Sequence, residues 1–214
     1  MIWDLPTRSF HWLFATCMVG AYISGENEFM EWHARFGVTI LGLLAFRVIW
    51  GLIGPHHVRF STMFKAIKEL VPYLQSFWGT TRNTHEGHNP LGALSVIAFL
   101  LIATAMVITG LFNEDDVFFT GPLYYFAPGL SEIAHELHEI FHAPIIPLIL
   151  LHLAAIAFHR YVLKENIIQR ITKGIEPEIK LGNAKAKQNT LTAFGLALLI
   201  TCLSASHLLL YLNA

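Results

Sequence analysis

Apolar residues run in five long stretches: Phe10 to Ser24, Phe36 to Ile53, Leu91 to Phe112, Pro144 to Leu163 and Leu191 to Leu212. Within each the hydrophobicity is continuous rather than one-sided, which predicts helices that meet an apolar medium on most faces. A helix needs about 20 such residues to cross a hydrocarbon layer roughly 30 Å thick. The first stretch is short at fifteen residues, and it lengthens to a full span if Leu5 to Phe10 dips into the interface. Asp4 and Pro6 suit a helix start there, and Trp3 and Trp12 suit the membrane interface. No small-x-small cleavage site follows, which argues against a signal peptide. The pattern predicts an all-α, integral membrane helical bundle.

The polar segments between the stretches divide by charge. Arg59, Lys65, Lys68 and Arg82 lie between the second and third, and Arg160, Lys164, Arg170, Lys173, Lys180, Lys185 and Lys187 between the fourth and fifth. The other two loops carry Arg35 against Glu26, Glu28, Glu31, Glu114, Asp115, Asp116, Glu132, Glu136 and Glu139. Cytoplasmic loops collect Lys and Arg, so the N-terminus is expected inside and, after five spans, the C-terminus outside. Composition agrees with the class: 54% of the 214 residues are hydrophobic and 14% charged, where soluble domains approach a quarter charged. The formal net charge of −1 conceals a polarised molecule, and the basic inner loops need no nucleic acid to explain them. Cys17 and Cys202 both fall within spans, without CxxC or CxxCH spacing, and read as small core residues rather than a disulfide or a haem attachment point.

The loops add detail. Phe64, Ile67, Leu70, Val71 and Leu74 recur at helical spacing and predict a helix lying in the inner membrane surface, broken or kinked at Pro72. His56, His57, His85 and His88 share that loop and are expected to be solvated. Span three has no histidine and only Ser95, Thr104 and Thr109 as polar residues, which predicts a structural wall. The outer segment from Asn113 to Leu130 mixes an acidic trio with aromatics, an interfacial belt or a docking site for a basic partner.

The chemistry lies in the histidines. Ser131 to Tyr161 carries five of the chain's twelve: His135, His138, His142, His152 and His159. An ionisable residue at membrane depth is costly without a partner and marks a functional site by default. On one unbroken helix, residues fourteen apart return to within about 40° of the same face, roughly 21 Å along the axis. His138 and His152 would then serve opposite leaflets. Topology supplies each with a companion: His11 at the inner end of span one for His152, and His33 at the outer edge of span two for His138. Neutral imidazole is a good axial ligand for haem iron, and bundles hold cofactors between facing helices. Gly37, four residues beyond His33, would let a flat macrocycle approach the backbone. Arg47, at the inner end of span two, can snorkel to the interface or pair with a carboxylate. His207 reads as a core or interface residue.

The motifs WDLPTRSFHW, HARFG with Arg47 downstream, FRVIWGLIGPHHVRFS, GHNPLG, GLFNEDDVFFTGPL and LHEIFHAPIIPLILLHLAAIAFHRYVLKENIIQRITKG together resemble the bacterial cytochrome b561 family. That family includes the b-type membrane subunits of nickel-iron hydrogenases. The resemblance covers most of residues 1–174. It implies a four-helix core holding two b haems, with His11, His33, His138 and His152 as axial ligands. It also implies quinone chemistry near the inner haem and a redox partner outside. The expected organisation is a di-haem domain over 1–174, a cytoplasmic linker over 175–190 and a fifth transmembrane helix over 191–214, in a bacterial inner (plasma) membrane. Arg35 is expected to pair with an outer-haem propionate, and Arg8 or Arg47 with an inner one. The expected partners are quinone and a periplasmic c-type cytochrome or hydrogenase-like enzyme, with a homodimer left open. His135 and His142 are alternatives at the outer level, and His159 at the inner.

Two other classes compete. His138-Glu139-Ile140-Phe141-His142 matches HExxH, the helix-borne ligand pair of zinc proteases, although no later carboxylate inside a span offers a third ligand. A histidine-lined metal transporter would need polar residues across several spans, and span three has few.

Overall fold

The structure, a computed structural model, describes residues 3–76, 89–115, 119–165, 167–174 and 182–208. His85, His88, Arg82, Asp116, Lys180 and the end of the chain beyond residue 208 lie outside them. The described chain is helical apart from a two-residue antiparallel ladder, β1 (Glu114–Asp115) with β2 (Phe119–Thr120), in the register Glu114 to Thr120.

Helix α1 runs from Leu5 to Glu26. Asp4 caps it: Oδ1 accepts from the Thr7 N–H at 3.1 Å, and Oδ2 accepts from Trp50 Nε1 at 3.0 Å. One buried carboxylate thus both starts the first helix and ties it to the end of the second. At the far end Glu28 takes a left-handed φ of 60°, and the Phe29 N–H reaches back to Ser24 O at 2.9 Å. This 6→1 closure turns the chain directly into α2 (Met30–Ile53). The two helices pack antiparallel along much of their length, with Gly20 giving way to the Phe36 ring.

After a 3₁₀ turn at His56–Val58 come α3 (Phe60–Lys68) and α4 (Leu70–Ser76). The surface helix is broken as expected, but at Glu69 rather than at Pro72. Pro72 has no N–H to give Lys68 O and its ring crowds that carbonyl, so the helix stops one turn early and restarts with the proline in its first turn. Phe64 and Val71 are exposed while Val58 and Met63 are fully buried against α2 and α5.

Helix α5 (Pro90–Phe112) is capped by Asn89, whose Oδ1 accepts from the Gly92 N–H at 2.7 Å. Its C-terminal carbonyls are closed by the outer loop: the Gly121 N–H donates to Asn113 O and the Leu123 N–H to Leu111 O. A Cβ on Gly121 would stand 2.5 Å from Leu111 O, so only glycine passes there.

The histidine-rich segment is not one unbroken helix. It is α6 (Ser131–His142) and α7 (Ile145–Tyr161), separated at Ala143 and Pro144. Pro144 and Pro147 each remove a backbone donor, so the 21 Å separation expected for a continuous helix does not carry across the joint. A short α8 (Ile167–Thr172) follows, then α9 (Gly182–His207). The last helix therefore begins within the segment expected to be linker.

Among the described residues four helical units are long and apolar enough to cross a membrane: Met30–Ile53, Pro90–Phe112, Pro128–Tyr161 and Asn189–His207. Helix α1 has 22 residues, about 33 Å, but is less apolar, with Arg8, Ser9 and His11 in its first turns. The molecule is a helical membrane bundle. Its core centres on α2, where Leu43, Phe46 and Trp50 are completely buried among Phe10, Ala103, Val107 and Leu199. Cys17 joins this core, as expected. Helix α9 packs on α2 by backbone approach: a Cβ on Gly42 would lie 2.8 Å from Cys202 O, the small-residue contact that membrane helices use in place of hydrophobic driving force.

Candidate functional site

One face of α2 carries His33, Gly37, Ile40, Leu44 and Arg47 at three- and four-residue spacing. The outer part of that face, with α1, α5 and α6, encloses a cavity of about 340 Å³. His33 and His138 stand in its lining with their rings 6.1 Å apart at 69°.

Both imidazoles are oriented by the protein. His33 Nδ1 lies 2.9 Å from Ala21 O. A carbonyl only accepts, so Nδ1 carries the proton and Nε2 keeps the lone pair. His138 Nδ1 lies 2.9 Å from Thr109 Oγ1. That hydroxyl gives its own hydrogen to Ala105 O or Met106 O, at 2.8 and 3.0 Å, so it accepts from His138 and again leaves Nε2 basic. Two imidazoles with their Nδ1 positions anchored by the protein are the arrangement seen when histidine ligates a metal.

The glycines around them make space. A Cβ on Gly25 would crowd His33 Nδ1 at 3.0 Å, and one on Gly110 would press His138 Cε1 at 3.3 Å. Gly37, in the cavity lining, would meet nothing within 4 Å. Nothing in the protein needs that position to lack a side chain, so the free space there fits a bulky group. Asn113, also in the lining, has a buried Oδ1 without a partner.

The inner level is built from α1, α2, α5 and α7. His11 and His152 lie within electrostatic reach of each other. Phe99 of α5 sets its edge on the His152 ring at 5.6 Å, and His11 Nδ1 is buried without a partner. Arg47 does not snorkel. It is buried, with Nη2 donating to Val58 O at 3.1 Å and the guanidinium 4.8 Å from the Phe60 ring. Arg8 Nη1 donates to Thr172 O at 3.0 Å. His57 is not a solvated loop residue: it meets Trp3 edge-on at 5.9 Å. Burial pushes its imidazole below the ordinary value, with Asp4 pulling the other way.

The extra histidines sort out by their partners. His159 is buried and both its nitrogens are committed. Asn89 Nδ2 donates to Nε2 at 3.1 Å, and Nδ1–H donates to Glu165 at 2.9 Å. Because Asn89 Oδ1 is fixed by the Gly92 N–H, the amide cannot flip, and His159 fastens α7 to the start of α5. His142 stacks on Tyr22 at 5.4 Å and turns Nε2 towards Glu26 at 3.6 Å. His135 is exposed at the cavity mouth. His207 donates through Nε2 to Thr39 Oγ1 at 3.0 Å, since that hydroxyl's hydrogen goes to Arg35 O. Arg35 lies outside the cavity lining, paired with Glu31 at 2.6 Å and 5.6 Å from the Trp32 ring.

Sequence reasoning missed the work of α5. The expected wall supplies Thr109 to His138, Phe99 to His152 and Asn89 to His159. The available signal was the scarcity of hydroxyls in that span. Thr104 satisfies itself on Leu100 O, and Thr109 alone reaches another helix among the contacts described here. No three His, Cys, Asp or Glu side chains among the described residues are placed to hold a metal ion together, so the HExxH reading stays without its third ligand there.

A family model described as prokaryotic cytochrome b561 matches residues 2–174. The chain belongs to the prokaryotic cytochrome b561 family. Its relatives agree. A probable Ni/Fe-hydrogenase B-type cytochrome subunit of Azotobacter chroococcum mcd 1 is 25% identical, over 81% of this chain and 86% of that protein. A counterpart from Azotobacter vinelandii is 24% identical over the same shares. A probable Ni/Fe-hydrogenase 1 B-type cytochrome subunit of Escherichia coli K12 is 22% identical, over 65% of this chain and 74% of its own length. No solved structure matches the chain significantly. Membership makes this a multi-pass membrane b-type cytochrome with a role in electron transfer and haem b as its cofactor.

Proposed function

We propose that the chain is a di-haem cytochrome carrying electrons between the membrane quinone pool and a periplasmic redox protein. The observation that carries this is the outer pair: His33 and His138 face each other across a cavity with both Nδ1 protons anchored and both Nε2 lone pairs left for iron. His11 and His152 form the corresponding inner pair. Haem b supplies a one-electron iron couple, and two imidazole ligands favour electron transfer over oxygen chemistry.

The chain's own part is to orient the ligands, exclude water and supply charge. Thr109 and Ala21 O hold the outer imidazoles, and Phe99 braces His152. Gly37 leaves room for the ring. Arg47 or Arg8 within, and Arg35 outside, supply positive charge for haem carboxylates, which requires Arg35 to leave Glu31. Residues 1–174 form the di-haem domain, and α9 supplies the fifth transmembrane helix.

The loop charges support an N-terminus in the cytoplasm and a C-terminus in the periplasm, across a bacterial inner membrane. Two partners suit the acidic outer surface: a soluble c-type cytochrome with a basic face, or a hydrogenase-type enzyme. The names of the relatives favour the second. The chain then acts as an electron carrier or as the membrane subunit of a quinone-linked oxidoreductase.

Pyridine haemochrome and metal analysis of the purified protein test this directly. Two b haems per chain and no zinc are expected. One zinc without haem would overturn the class, and one haem per chain would overturn the paired arrangement.

A further inference from the structure

A cation held at membrane depth is costly unless an anion answers it. Among the described residues the ion pairs are Arg35 with Glu31, His142 with Glu26 and His159 with Glu165. Arg8 has no place among them. It stands in the first turn of α1, partly buried, with Nη1 donating to Thr172 O at 3.0 Å. Its Nε is buried without a partner. A backbone carbonyl offers a dipole rather than a charge, so the guanidinium keeps its positive charge uncompensated.

Arg8 also lines an open groove of about 450 Å³ between the start of α1 and the end of α8. Ser9, Trp12, Leu13 and Thr16 line it along α1, and Thr172 borders it from α8. Arg8 to Thr16 covers about 12 Å of helix, so the groove runs from the edge of the span towards the hydrocarbon. Trp12 and Leu13 are exposed and give it an apolar surface, while the Ser9 and Thr16 hydroxyls can donate. Gly174 has a φ of 62°, and a Cβ there would stand 3.1 Å from Arg8 Cζ. Glycine thus lets the chain beyond α8 close on the guanidinium and hold it at the head of the groove. Lys173, exposed between Thr172 and Gly174, adds a second positive charge.

We propose that this groove binds an anionic phospholipid of the inner leaflet, with its phosphate received by Arg8 and one acyl chain laid over Trp12 and Leu13. A guanidinium pairs with phosphate through short, charge-assisted hydrogen bonds, and basic clefts on the cytoplasmic side of membrane helices recognise such headgroups. A zwitterionic lipid offers the same chains and phosphate but brings its own cation, so charge separates the two. The bound lipid ties α8 to α1. Its placement in the inner leaflet rests on the inward N-terminus read from the loop charges. With Arg8 turned to lipid, the inner haem's carboxylates fall to Arg47.

The test places the full-length, haem-loaded protein in nanodiscs of equal phosphatidylglycerol and phosphatidylcholine. Lipids retained on release into detergent are then read by native mass spectrometry. The wild type should keep one phosphatidylglycerol in preference to phosphatidylcholine. Arg8→Gln should lower that preference about fivefold, the worth of one basic residue towards an anionic lipid. Arg160→Gln, at an exposed arginine outside the groove, should leave it unchanged. Leu13→Trp keeps the charge but fills the groove, so it should lose the retained lipid; it decides alone if Arg8→Gln fails to fold. No preference in the wild type, full retention in Arg8→Gln or Leu13→Trp, or an equal fall in Arg160→Gln would overturn the site. Accessibility labelling that put the start of α1 in the periplasm would instead overturn the leaflet and the topology beneath it, leaving the groove.

Discussion

The two ends of the bundle treat their histidines differently. At the outer end each imidazole has its Nδ1 proton anchored by the protein, on Ala21 O for His33 and on Thr109 Oγ1 for His138. At the inner end His11 Nδ1 has no partner, and neither do Arg47 Nη1 and His57 Nε2. The outer imidazoles are oriented by the protein alone, whereas the inner end keeps buried polar atoms that no described protein group satisfies. Preorganised ligands keep their geometry with or without iron. Buried donors without acceptors cost about 1–3 kcal/mol each, so the inner end gains more order from its ligand. Haem loading should therefore stiffen α1, α2 and the 54–63 segment more than α5 and α6.

Removing a ligand is the strongest way to break the comparison. His33→Ala or His138→Ala should lower haem content from two to one per chain while the inner haem keeps its spectrum; loss of both haems would mean that the levels are not independent. Gly37→Leu comes next. An added Cβ there meets no protein atom within 4 Å, so the fold should survive and the outer haem should not bind. Full haem content in that variant would show that the cavity is not the haem site.

Thr109→Val strips the acceptor from the His138 Nδ1 proton but keeps its shape. Outer-ligand affinity should fall about 10–100-fold, the usual effect of losing a residue that orients a metal-bound histidine, measured by haem retention on dilution. Arg35→Gln should shift only the outer haem's potential, and modestly, because Arg35 is half exposed and already paired. An unchanged outer potential would remove Arg35 from the propionate role. The mildest change is Thr39→Val, which removes one α2–α9 hydrogen bond. It should cost about 1 kcal/mol of stability and leave both potentials alone; a shifted potential would give α9 a part in the redox site.

Much of this was legible in the chain. Continuous apolar stretches predict membrane helices because a bilayer hides the whole circumference of a helix, and four of them reappear as spans. Asp4, Pro6 and Asn89 sit at helix starts as their side chains dictate. The proximity of His33 and His138 was legible in the topology, since alternate spans of an up-and-down bundle start at the same face. Other features depend on contacts between helices that no spacing reveals. His159 repeats the period of His152, yet Asn89 and Glu165 occupy both its nitrogens. Arg47 reads as an interfacial snorkel, but α3 folds back to bury it. His57 reads as solvated, and Trp3 and Asp4 enclose it.

The sequence by itself determined the helical membrane class and set histidines near both ends of the apolar spans, because hydrophobicity and periodicity act locally along the chain. Only the tertiary structure decided which nitrogen of each histidine is free. That choice depends on a carbonyl or hydroxyl delivered by another helix, and its position is set by how the helices pack.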